Sequence, residues 1–128
     1  MALLKLEKSK WRTFFDRVSK RLVGKRAEID VESLALGAQV EGKWLPLFSI
    51  VYDPKNDLIE IAVEDLEHMV HKPREIYVDE GTTGLISLEV LDGDGVQHIV
   101  QFRDPLMLPP STGPEKPGKA FARGEVNW

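Results

Sequence analysis

The chain has no cysteine among its 128 residues. Disulfide scaffolds, thiolate metal sites and cysteine nucleophiles are therefore excluded together, and the composition suits a reducing cytosol. No run of about 18 apolar residues occurs, so no segment reads as a transmembrane helix. The start, "MALLKLEKSK", is interrupted by Lys5 and Glu7 and lacks the apolar run of a signal peptide. Walker and dinucleotide glycine patterns are missing, as is a G-x-S-x-G elbow around any serine. The expectation is a cytoplasmic domain with no predicted cofactor and no catalytic residue, and more in keeping with a non-enzyme than an enzyme.

What is present is one domain's worth of core. Apolar residues make up 42% of the chain, enough to bury a single hydrophobic interior at this length. The net charge of −4 hides an asymmetry. Residues 1–26 carry nine Lys/Arg against Glu7 and Asp16, whereas residues 27–108 carry five Lys/Arg against seventeen Asp/Glu. An acidic body repels nucleic acid and anionic lipid, so the basic N-terminal segment either lies on that body or seeks an external anion. Neutralisation within the molecule is the plainer expectation, which makes nucleic acid a disfavoured partner.

"SKWRTFFDRVSKRLVG" predicts an amphipathic helix. Trp11, Phe14, Phe15, Val18 and Leu22 share one stripe, opposite Arg12, Asp16, Arg17, Lys20 and Arg21. Ser9 is the expected N-cap and Gly24 the stop. Burying that stripe is worth on the order of 10 kcal/mol before entropy losses. A small domain with one obvious helix needs it for the core rather than for a membrane interface.

Beyond Gly24 the period falls to two. "RAEIDVES" alternates an apolar and an acidic face, and "KWLPLFSIVY" places Leu45, Leu47 and Val51 on one side with Trp44, Phe48, Ile50 and Tyr52 on the other. "DPKND" reads as a turn into "LIEIAVE", and "DGDG" as the turn of a second hairpin between "LISLEVL" and "VQHIVQF". Two alternating ligand-type oxygens and no Glu near a twelfth position make "DGDG" a poor calcium loop. The predicted architecture is α+β: the helix packed on a strongly bent, mainly antiparallel sheet of five or six strands, barrel-like in its curl. Residues 1–109 form the domain, and 110–128 are a Pro/Gly-rich tail whose Phe121 and Trp128 can dock on the body or a partner.

"EDLEHMVHKPREIYVDE" holds the candidate sites. Two helical turns near Asp65–His71 would gather Glu64, His68 and His71 on one face at offsets of four and seven, an E-x3-H-x2-H set of metal-ligand types completed by Asp79 or Glu80. The plainer reading is a solvated polar helix face, since the spacing lacks the H-E-x-x-H pattern. Arg74, Tyr77 and Asp79 form a candidate binding surface on the following strand. Arg74 equally suits an ion pair with Asp79, Glu80 or Asp104. His98 shares a strand face with Val96 and Val100, where a hydrogen-bonded core histidine is expected rather than a general base.

The phrases "WRTFFDRVSK", "EGKWLPLFSIVYDPKND", "HKPREIYVDE", "SLEVLD" and "RDPLMLP" together resemble a family of short, uncharacterised bacterial proteins, a domain of unknown function. The resemblance runs from Trp11 to Pro109 and implies a single compact bacterial domain. It carries no activity, cofactor or catalytic residue with it. The functional expectation is a non-enzymatic interaction or accessory domain, with a protein partner or self-association through a sheet edge. The alternatives are a metal-dependent hydrolase or metal-binding protein using Glu64, His68 and His71, and nucleic-acid or membrane-surface binding by the basic helix.

Overall fold

In the computed structural model, which describes residues 3–35, 37–82 and 84–104, the apolar stripe of the N-terminal segment forms helix α1 (Trp11–Leu22). Trp11, Phe14, Phe15, Val18 and Leu22 are all buried, while Arg12, Asp16, Arg17, Lys20 and Arg21 are exposed or nearly so. The helix begins one residue later than a Ser9 cap would give. A 3-10 turn covers Lys8–Lys10, and Lys10 takes the N-cap position without a side-chain bond. Gly24 ends the helix at φ 91°, a conformation in which a side chain is strained.

Eight strands are found among the described residues: β1 (Leu4–Leu6), β2 (Arg26–Ser33), β3 (Gly37–Asp53), β4 (Leu58–Val63), β5 (Leu66–His71), β6 (Pro73–Gly81), β7 (Gly84–Asp92) and β8 (Gln97–Arg103). Every pairing is antiparallel, in the order β1-β6-β7-β8-β2-β3-β4-β5. The fold is thus α+β with a dominant sheet that is larger than five or six strands and does not close into a barrel. The two additional strands are β1 and β5. Both expected hairpins are present, β3–β4 around residues 54–57 and β7–β8 around residues 93–96.

Among the described residues, four other than glycine enter the left-handed region, including Trp44, where β3 bends, and Lys72, between β5 and β6. Trp44 has φ 53° and Lys72 has φ 54°. Just beyond Trp44 the 17-residue strand β3 changes neighbours: its first part pairs with β2 as far as Pro46, and its second part pairs with β4 from Leu47. Proline lacks the amide that would continue the first ladder. The bend is held by Arg103 stacked 4.6 Å from the Trp44 ring and by Arg26 Nη1 donating to the Trp44 carbonyl. Where β2 departs, α1 takes over the edge of β3. The Ile50 amide donates to Ser19 Oγ at 3.1 Å, and the Leu47 amide to the Lys25 carbonyl at 3.0 Å. A helix serine therefore satisfies a strand donor that would otherwise be stranded beneath the helix.

A register shift between Leu47 and Ser49 revises the expected faces of β3. The extra residue, Phe48, is pushed into solvent at 58% exposure, while Leu47 lies on the core side with Ile50 and Tyr52. The helix is pinned at its start as well. Trp11 donates from Nε1 to the Leu6 carbonyl and meets Tyr52 edge-on at 5.2 Å. Burial first, and then its bond to Asp57, pushes the Tyr52 hydroxyl up to about 12. Lys5 and Lys8 reach Glu75 and Asp57 at 3.9 Å, so part of the basic segment does lie on the acidic body. No helix of the described residues is long and apolar enough to cross a membrane. The expected tail, with Phe121 and Trp128, lies outside the described residues.

Candidate functional site

The segment Asp65–His71 is a strand rather than a short helix. A six-residue helix would leave most of its amides and carbonyls without internal partners, whereas β4 offers a complete ladder alongside. Glu64 and Asp65 form a two-residue turn, with Asp65 at φ 63°, and β5 then pairs from Leu66↔Val63 to His71↔Leu58. Alternation follows. Leu66, His68 and Val70 face the interior, while Glu67, Met69 and His71 face outward. The predicted triad is taken apart: Glu64 is exposed in the turn, His71 is exposed on the outer face, and His68 points the other way. Among the described residues, no group of three or more His, Cys, Asp or Glu is arranged to hold a metal ion.

His68 instead meets His98. Its Nε2 lies 2.9 Å from His98 Nδ1, and His98 Nε2 lies 2.8 Å from Asp92 Oδ2. Asp92 Oδ1 accepts from the amides of Asp94 and Val96, so the carboxylate also ties the "DGDG" turn. Asp92 and His98 are 7% and 6% exposed, the two polar residues among an otherwise apolar buried set. Burial alone would raise the Asp92 carboxyl. The bond from His98 and the two amides outweigh it and hold the group below the usual carboxylate range. An ionised Asp92 only accepts, so His98 Nε2 donates to it. Between His98 Nδ1 and His68 Nε2 runs one N–H···N bond, its direction set by which ring carries the proton. Burial first, and repulsion from His98 second, push His68 down to about 4.

This chain of three side chains crosses the inside of the curl. β5 ends the strand order, and β8 lies four places away through β4, β3 and β2. The imidazole bond therefore joins parts of the sheet that share no backbone ladder. As chemistry it is weak. A base held near 4 has little driving force to take a proton at neutral pH. As structure it satisfies the buried His98 and Asp92 together with the partly exposed His68. The expectation that His98 is a hydrogen-bonded core histidine holds. Its partners come from distant parts of the chain, and His68 between Leu66 and Val70 is the period-two signal for an inward imidazole.

The second candidate group lies on β6. Arg74 is exposed at a register irregularity between Pro73 and Glu75, outside the ion pairs found among the described residues. Tyr77 donates to Glu75 at 2.9 Å and lines a shallow depression with Leu3, Glu89, Leu91 and Gln97. Asp79 is half-buried, and its Oδ1 has no hydrogen-bond partner among the described residues. These three side chains share the strand β6.

The outer side of β3–β5 has a different character. Val51, Glu60 and Met69 are opposed in register across the three strands, and Val51 and Met69 are 41% and 39% exposed. With the bulged Phe48 they leave three exposed apolar side chains on β3 and β5, with Glu60 standing between Val51 and Met69. Among the described residues β5 pairs on one side only.

A family model described as a family of unknown function (DUF5335) matches residues 2–111. An uncharacterized protein of Aquifex aeolicus (strain VF5) is 34% identical over 110 residues, covering 85% of this chain and 99% of that protein. No solved structure matches the chain.

Proposed function

Since the chain belongs to the DUF5335 family, whose function is unknown, we propose from its own geometry that it is a non-enzymatic interaction domain that binds protein through the β5 edge and the exposed apolar residues beside it. The single observation carrying this reading is the coincidence of Phe48, Val51 and Met69, all exposed, with a six-residue edge strand. Edge strands are commonly guarded by lysine, proline or a bulge, and Leu66–His71 contains none of these. An extended segment added there gains main-chain hydrogen bonds, with side-chain contacts to these apolar residues providing selectivity. The polar chain Asp92–His98–His68 supports the same reading, because its end member is too weak a base for general-base work near pH 7.

The test is photo-cross-linking in the host cell from p-benzoylphenylalanine placed at position 69, with position 12 on the exposed helix face as control. Discrete adducts from position 69 and none from position 12 are expected. Absence of adducts from position 69, or a steady turnover abolished by His68→Gln, contradicts the proposal.

A further inference from the structure

The β5 edge is complementary to itself, and we infer that its partner is a second copy of this chain, paired antiparallel about a two-fold axis at Met69. This inference rests on the interaction reading above and names the partner. The argument starts from the turn. A two-residue hairpin loop closes on a hydrogen-bonded pair, here Val63 and Leu66, and such pairs recur at every second residue. Leu66, His68 and Val70 therefore spend their amides and carbonyls on β4. Those of Glu67, Met69 and His71 point to the open edge.

A two-fold axis at Met69 opposes Met69 to its own copy and each Glu67 to the other copy's His71. All three pairs are of the hydrogen-bonded kind, so the full strand is used and no backbone group at its centre is stranded. The side chains agree with the backbone. Glu67, Met69 and His71 all lie on the outer face and are exposed. A carboxylate faces an imidazole at both ends, an acceptor opposite a ring that donates in either ionisation state. Between them Met69 meets Met69, and the row Val51–Glu60–Met69 runs on into its counterpart. The isologous arrangement leaves no new edge at the joint and closes as a dimer.

Sedimentation equilibrium on the full chain tests this. The wild type is expected to dimerise at micromolar concentration. Glu67→Lys opposes lysine to imidazole twice, and His71→Glu opposes two carboxylates twice. Each is expected to weaken the dimer about tenfold or more. An equimolar mixture of these two variants restores one lysine–glutamate and one histidine–glutamate pair, and is expected to dimerise as the wild type does. His71→Lys is expected to tighten it. Both positions are exposed, so the folds of the variants, checked by circular dichroism, are retained.

A wild type that remains monomeric at about 100 μM, or single variants that dimerise unchanged, overturns the inference. So does a mixture no better than its components. Failure here with cross-links from position 69 to a different protein removes the dimer and leaves the interaction reading. Failure of both removes the edge as a binding surface.

Discussion

Phe15→Ala is expected to lower the free energy of unfolding by about 3–5 kcal/mol, a large part of what a domain of this size has in total. Phe15 is fully buried, packs edge-on against Phe14 at 5.5 Å, and sits in the stripe that α1 lays over β3. Truncation removes the transfer energy of a phenyl ring and leaves a cavity that the neighbouring side chains fill only in part. Arg12→Ala, on the exposed side of the same helix, is expected to stay within about 0.5 kcal/mol of the wild type. Urea denaturation of the two variants at equal m-value makes the comparison. Equal losses, or a Phe15→Ala loss under about 1 kcal/mol, mean that the helix does not seal the sheet.

Asp92→Ala has the next largest expected effect, a loss of about 2–4 kcal/mol. The carboxylate accepts from a buried imidazole and from two turn amides. Removing it strands the His98 donor where water is excluded and releases the turn between β7 and β8. Asp92→Asn retains an acceptor for one of these donors, so a smaller loss is expected from it. Thermal and urea unfolding read both variants. An Asp92→Ala protein as stable as the wild type would show that the buried network contributes nothing to the fold.

Much of the fold is legible in one dimension, because its elements are local. The stripe from Trp11 to Leu22 is a period of 3.6, and the turns at "DPKND" and "DGDG" carry their own chemistry. Two features are not local. Leu66, Met69 and Val70 fit a helix, while Leu66, His68 and Val70 fit a strand. In six residues only the presence of β4 decides between them. The bulge at Phe48 likewise changes which side chains of β3 point inward, and it follows from the change of neighbours at Pro46. The polar chain depends on both. His68 and His98 lie 30 residues apart, on strands that share no ladder, so no local pattern pairs them. Two lone imidazoles on otherwise apolar faces were the available signal.

The same network sets the response to acid. In the folded protein His68 is held near 4, below its ordinary 6.5, so between these values the unfolded chain binds more protons. Stability is therefore full above about pH 6.5 and falls as the pH drops towards 4. His68 is partly exposed, and after allowance for solvent screening its share is about 2 kcal/mol. The Asp92 carboxyl, also depressed, adds a further loss at lower pH as it protonates.

Whether these side chains form a structural clasp or a reactive group is decided most directly by following the imidazole nitrogens of His68 and His98 by NMR from pH 8 to about 3.5. The clasp predicts that His68 keeps its Nε2 contact with His98 Nδ1 and stays neutral down to a midpoint near 4. A freely titrating His68, with a midpoint at the ordinary imidazole value and no bond to His98, would contradict it.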